Sequence, residues 1–159
     1  MSVVIRQARD ADFDAMADLL NKIIAIGGTT AMTKPVTPDD LLEKSRKPQN
    51  RWTVAILNGR LIGFQWIAAN DALPEGAADI ASFVDPEIQG QGTGTKLIEA
   101  TKDAARNLGY AWINATVRAD NVPGLAYYSK QGFSDWNRQT GTVLDDGTQV
   151  DRIMKRLDL

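Results

Sequence analysis

Val84-Asp85-Pro86-Glu87-Ile88-Gln89-Gly90-Gln91-Gly92-Thr93-Gly94 joins an apolar run, ending on a proline, to a helical pattern over Thr95 to Leu108. Gly90, Gly92 and Gly94 stand at alternate positions and carry no Cβ, so the backbone there can lie close to a ligand. Amides at the start of the following helix have no intrahelical partners, point outward together and sit at the positive end of the helix dipole. A strand–loop–helix of this kind is an anion site, and the fitting anion is a phosphate or pyrophosphate. A tight strand-to-helix turn needs the same glycines, so the loop by itself leaves both readings standing. G-x-G-x-G is not the dinucleotide fingerprint G-x-G-x-x-G, and no Gly-Lys-Ser/Thr follows to make a P-loop.

The surrounding chain reads as alternating strands and helices. Ala77 to Val84 is a strand that delivers the chain into the glycine loop. In the helix after it, Leu97, Ile98, Thr101, Ala104, Ala105 and Leu108 share one side, and Gly109 follows as a stop. Tyr110 to Val117 reads as a buried strand, and Pro123 suits the first turn of a helix running to Gln131. Phe133 to Val143 and Gln149 to Leu157 read as paired strands around Asp145-Asp146-Gly147.

Upstream, Asn58-Gly59 between two β-rich runs, Trp52 to Leu57 and Arg60 to Ile67, predicts a hairpin with a type I′ turn. Val3 to Arg6 fits a first strand. Asp10 or Asp12 can cap a helix whose apolar positions are Phe13, Met16, Ala17, Leu19, Leu20, Ile23 and Ile24, stopped by Gly27-Gly28. A second helix is expected over Pro38 to Lys47. The result is an α+β chain, one domain over residues 1–159, with a mixed sheet and helices on both faces.

Composition narrows the chemistry. The 159 residues carry 18 Lys plus Arg and 20 Asp plus Glu, a net charge of −2, with no basic run to favour nucleic acid or an anionic membrane. Without cysteine there is no disulfide and no thiolate nucleophile; without histidine the commonest general base is missing. No metal is implied, since the residues that usually bind one are absent. No apolar run reaches membrane-spanning length and no signal h-region opens the chain, so a soluble, cytoplasmic protein is expected.

Gln89-x-x-Gly92-x-Gly94, preceded by Val84-x-Pro86, resembles the acetyl-CoA pyrophosphate loop of the GNAT family of N-acetyltransferases. Asn121-x-x-Gly124-x-x-x-Tyr128-x-x-x-Gly132-Phe133 resembles that family's next motif, and the two occur in the family's order. The resemblance covers about residues 3 to 157 and implies the α/β/α acyl-CoA N-acyltransferase fold, with a mostly antiparallel sheet. It also implies acetyl-CoA as acetyl donor and, in many relatives, a homodimer. The implied reaction is direct attack by an amine in a ternary complex, as no cysteine is present to carry an acyl-enzyme.

Carried over residue by residue, the resemblance assigns the pyrophosphate to Gln89, Gly90, Gln91, Gly92, Thr93 and Gly94. Thr93 stands where the family usually has an aliphatic residue; its hydroxyl either caps the helix, the preferred reading, or donates to a phosphate oxygen. The strand ending at Val84 splays from its neighbour in the family, so amides near Phe83 and Val84 would bond the pantetheine arm and polarise the thioester oxygen. Tyr128 is the implied acid toward the CoA sulfur, and a phenol with a reference pKa of about 10 is protonated at neutral pH, as an acid must be. The other reading of Tyr128 is packing, and Tyr127 is expected to be a core residue. Asn121 reaches the cofactor, caps its helix, or both.

An ammonium with a reference pKa near 10 must lose a proton before attack. Asp79, five residues before Val84, stands where several relatives carry a glutamate and is expected to act through a water; the other reading is a solvated strand-end carboxylate. Glu87 is the alternative base. Ile26 to Thr33 with Thr29 and Thr30, Trp66 and Trp136 would line the acceptor pocket, and Gly28-Thr29-Thr30-Ala31 resembles the corresponding region of phosphinothricin and amino-acid-analogue acetyltransferases. The expected acceptor is therefore a small-molecule primary amine, an amino acid or analogue. A protein N-terminus or lysine, and a non-catalytic acyl-CoA-binding module, are the alternatives.

Overall fold

The computed structural model describes residues 2–88 and 90–159. In chain order the strands are β1 (Val4–Gln7), β2 (Arg51–Leu57), β3 (Arg60–Ala69), β4 (Ala77–Val84), β5 (Trp112–Arg118), β6 (Ser134–Val143) and β7 (Gln149–Asp158). The helices are α1 (Phe13–Ile26), α2 (Pro38–Ser45), α3 (Thr93–Asn107) and α4 (Val122–Lys130). The seven strands form one sheet in the order β1-β2-β3-β4-β5-β7-β6. Every neighbouring pair is antiparallel except β4 with β5. Among the described residues no helix is long and apolar enough to cross a membrane.

Local chemistry sets most of these boundaries. Asn58 and Gly59 both have positive φ, 53° and 77°, the backbone that a type I′ turn needs, and β2 pairs β3 around them. Thr37 caps α2 by accepting the Asp40 amide at 3.1 Å, while the Asp40 carboxylate takes the Thr37 amide at 3.0 Å, a complete capping box with Pro38 in the first turn. The capping expected of Asp10 or Asp12 is not made. Asp10 to Asp12 form a single 3-10 turn, and the Asp12 carboxylate turns back to the Arg6 guanidinium at 2.7 and 2.9 Å and the Arg9 amide at 2.7 Å. A bidentate guanidinium is the stronger partner.

Strand alternation sends successive side chains to opposite faces. Trp52, Val54, Phe64, Trp66 and Phe83 pack with α1 and α2, burying Phe13, Met16, Leu20 and Leu41. On the other face Ile67, Ala78, Ile80, Ile113, Ala115 and Val117 pack with α3 and α4 through Ile98, Ala104, Ala105 and Tyr128. The first face is an aromatic stack, with Trp52 and Trp66 centroids 4.3 Å apart and Phe64 5.0 Å from Phe83. Each such pair adds about 0.5–1.5 kcal/mol beyond its buried area, which makes these rings structural.

The sheet opens at the parallel pair β4–β5. β4 and β5 pair through Ala77 with Trp112, Ala78 with Ile113 and Asp79 with Asn114, and pairing ends there. β4 then follows β3 as far as Val84, while β5 follows β7 as far as Arg118. The strands leave a wedge in the middle of the sheet.

Candidate active site

The loop that leaves β4 is anchored before its glycines. Asp85 is 3% exposed. Its amide bonds Ile62 O at 2.8 Å, and its carboxylate takes the Glu87 amide at 3.0 Å, Lys22 Nζ at 2.9 Å and Arg60 Nη2 at 2.9 Å. Burial pushes this carboxyl upward, but the Glu87 amide and the two cations outweigh it and hold the pKa below the usual range. A depressed folded pKa contributes stability above the unfolded value, near 4, and that stability is lost as pH falls through the folded value. Asp85→Asn is therefore expected to lower the melting temperature at neutral pH, with the difference from wild type vanishing as the pH is taken into the acid range. A pH-independent difference in a melting series would refute the assignment.

Past Asp85 the backbone turns into α3 through Gly92, its N-cap, with φ 65° and ψ 23°. Open space surrounds Gly90 and Gly92: apart from their chain neighbours, no heavy atom of the described residues lies within 4 Å of where a Cβ would stand. Gly94 is the opposite case. A Cβ there would lie 2.7 Å from Tyr127 Cε1, because the tyrosine crosses the helix at this point. Its hydroxyl donates to Gly94 O at 2.7 Å and accepts from Gln65 Nε2 at 2.8 Å, and Gln65 Oε1 takes the Thr101 hydroxyl at 2.7 Å. This relay of satisfied donors ties the start of α3 to β3. Burial, reinforced by Tyr128 nearby, raises the Tyr127 pKa against the opposing Gln65 bond.

Two cavities meet at the wedge. The larger, about 670 Å³, runs from Ser82 to Asp85 along the loop and the start of α3 to Asn121, the cap of α4, and Tyr127 on α4. The smaller, about 230 Å³, fills the wedge and reaches Tyr128, Arg118 and Arg152. Thr29, Thr30, Ser82, Phe83 and Asn121 line both. The connector carrying Thr29 and Thr30 is strapped down by Asn121 Nδ2 to Thr29 O at 3.0 Å and Arg118 Nη1 to Thr30 O at 3.2 Å. Asn121 Oδ1 meanwhile caps α4 through the Gly124 amide at 3.0 Å.

Tyr128 is the deeper tyrosine, 7% exposed, with its ring against Tyr127 and Phe133 and its hydroxyl 2.7 Å from Ser82 Oγ. Burial raises its pKa to about 12, with the Ser82 bond opposing and the Asp79 carboxylate adding to the rise.

The structure relocates several residues expected at the site. Trp66 belongs to the core: it is 4% exposed, stacked on Trp52, covered by Lys44 Nζ at 4.7 Å, and lines neither cavity. Trp136 lies edge-on to Trp112 and donates to Asn114 Oδ1 at 2.9 Å, outside both cavities. Thr93 is the first residue of α3, not its cap. Its hydroxyl oxygen is buried without a hydrogen-bond partner among the described residues, and its methyl would lie 3.2 Å from a Cβ at Gly63. Asp79 does not line either cavity, and its oxygens accept from Asn70 at 3.1 Å and Asn114 at 3.0 Å. Glu87 is exposed and paired with Lys22 at 2.6 Å. Tyr127, expected in the core, packs against the buried cluster while its hydroxyl reaches the start of α3.

Phe83 needs a backbone correction. The Asp85 amide bonds β3, and backbone groups alternate in direction along a strand, so Phe83 also turns its amide toward β3. Val84 and Ser82 are the residues whose amides face the wedge. Gly90, Gln91, Gly92, Thr93, Gly94, Val84 and Asn121 all line the larger cavity, and Gln89 lies outside the described residues. Sequence reading missed Gln65, Ser82, Arg118 and Arg152. A signal existed for the relay, because Thr101 is a polar residue on the apolar side of α3.

The sequence matches the acetyltransferase (GNAT) family over residues 14–133. YwnH of Bacillus subtilis (strain 168), provisionally named a phosphinothricin acetyltransferase, is 29% identical over 155 residues, covering 94% of each chain. A solved structure provisionally named a phosphinothricin N-acetyltransferase is 28% identical with a TM-score of 0.85, covering 99% of each chain. A GNAT superfamily phosphinothricin acetyltransferase from Sinorhizobium meliloti, solved in complex with AcCoA, has a TM-score of 0.87 over all of this chain and 89% of that one. At 18% identity that last likeness is one of fold.

Proposed function

The chain belongs to the acetyltransferase (GNAT) family, and from that premise we propose that it acetylates the primary amine of a small molecule, an amino acid or analogue, from acetyl-CoA. The observation that carries this reading is the wedge, which joins the glycine loop to a cavity holding a buried, protonated phenol. The donor's shape fits. Open space at Gly90 and Gly92 admits a pyrophosphate against the loop, and the first-turn amides of α3 face it. The free edge of β4 suits an amide-bearing arm laid along it like an added strand.

Acetyl-CoA supplies an activated acetyl thioester. The Val84 and Ser82 amides on the free edge hold the arm and polarise the carbonyl oxygen, fixed dipoles already in place when charge develops there. Tyr128 gives its phenol proton to the leaving sulfur while Ser82 Oγ, 2.7 Å away, donates to the phenol oxygen in turn. The strapped connector over Thr29 and Thr30 closes the wedge from one side. Among the described residues no carboxylate lines the smaller cavity, so the ammonium proton leaves through water, with Asp79 as the far end of that route.

The test is CoA release from acetyl-CoA across amino acids, their analogues, polyamines and short peptides. Turnover with an amino acid or analogue is the expected result. Turnover with peptides alone would replace the small-molecule acceptor, and tight acetyl-CoA binding without any turnover would replace the enzyme reading.

A further inference from the structure

We propose that Arg152 reads an anionic group on the acceptor, so that the acceptor is an amine that also carries a carboxylate or an equivalent oxyanion. This rests on the reading of the smaller cavity as the acceptor site.

Arg152 on β7 is the direct cross-strand partner of Arg118 on β5, and both line the smaller cavity. Like charges directly opposite in a sheet repel, so each needs compensation. Arg118 has it. Asp120 takes Arg118 Nε at 3.0 Å and Nη2 at 2.8 Å, its Nη1 is spent on Thr30 O, and the residue is 9% exposed.

Arg152 has no such partner. Its Nη2 donates to the neutral Gln139 Oε1 at 2.6 Å, and its Nε is buried without a hydrogen-bond partner among the described residues. The adjacent carboxylate, Asp151, is committed to Arg138 at 2.7 Å and the Gly141 amide at 3.0 Å. Among the described residues no carboxylate comes within ion-pair distance of Arg152. A partly buried guanidinium left with a neutral partner is costly unless a ligand completes it. Its planar fork of N–H donors matches a carboxylate, phosphinate or similar oxyanion in a bidentate pair.

The cavity's charge also argues by exclusion. A polyamine or lysine side chain would bring a second cation toward two guanidiniums with no lining carboxylate to receive it. An α-amino acid has one carboxylate for Arg152 and one amine to present toward the wedge, and about 230 Å³ holds a molecule of that size.

The experiment uses matched pairs, free L-amino acids against their carboxamides, with wild type, Arg152→Gln and Arg152→Lys, each checked for folding by its melting temperature. Wild type is expected to favour the acid by about 10- to 100-fold in kcat/KM, the usual worth of a hydrogen bond to a charged group. Arg152→Gln should bring the acid-to-amide ratio near one, and Arg152→Lys should keep part of it. An acid preference that survives in Arg152→Gln, or wild type that accepts amides equally, overturns the proposal. If no pair is acetylated, the amino-acid acceptor reading fails by itself, and thermal shift of the CoA-loaded protein with the free acids decides the anion site. Stabilisation of wild type but not of Arg152→Gln supports it, and equal behaviour of the two overturns it.

Discussion

Gly92→Val is expected to weaken acetyl-CoA binding by about 100-fold or more, equivalent to about 2.7 kcal/mol. Gly92 is the N-cap of α3 at φ 65°, in the left-handed region, where a β-branched residue is strained by about 1–2 kcal/mol. Apart from its chain neighbours, no atom of the described residues lies within 4 Å of the added Cβ, so the branched side chain occupies the space proposed for the pyrophosphate. Relief of the strain would also re-aim the first-turn amides. Gly92→Asn separates the two causes, because asparagine tolerates this backbone and still carries a side chain into the open space. Titration of acetyl-CoA against both variants is the measurement. Affinity lost in both assigns the effect to obstruction, affinity lost only in the valine variant assigns it to the backbone, and affinity kept in both removes the loop from the donor site.

Tyr128→Phe is expected to lower kcat by about 100-fold or more with acetyl-CoA affinity retained, the range for a positioned general acid. Phenylalanine keeps the ring contacts with Tyr127 and Phe133, at 4.9 and 5.1 Å, so a packing role predicts nearly unchanged turnover. With the phenol pKa raised to about 12 by burial, the acid is protonated throughout the neutral range, and its ionisation puts no alkaline limb on the rate there. The same shift makes a stability statement. The unfolded phenol ionises first, near pH 10, so stability from this group is full below that pH and falls as pH rises toward about 12. Single-turnover rates with pre-bound donor would isolate the chemical step, and an unchanged rate would end the acid assignment.

What was legible in the sequence was what local chemistry decides. Asn58-Gly59, the Thr37–Asp40 box and the β4–glycine–α3 passage fix their own conformations within a few residues, and the observed elements follow them closely. The misses were of two physical kinds. One is phase: α3 begins at Thr93, two residues before the predicted start, which makes Gly92 the cap, and strand alternation hands the wedge to Val84 and Ser82 in place of Phe83. The other is distance in sequence. Nothing near Trp66 says that Trp52 will stack on it. Nothing near Arg152 says that Arg118 will lie opposite with a carboxylate of its own. Gln65, Thr101 and Tyr127 likewise become one relay only when β3, α3 and α4 are brought together.

The wedge bears on solubility. A bare strand edge at a protein's rim is a template for another chain, and proteins blunt such rims with short, bulged or charged strands. Both outer strands here are blunted. β1 has four residues, and β6 breaks register at two places and carries Asp135 and Arg138. The bare edge inside the sheet, along β4 beyond Asp79, faces the wedge beside the strapped connector. The chain thus keeps the backbone it needs for recruiting a ligand while presenting little of it to other copies of itself.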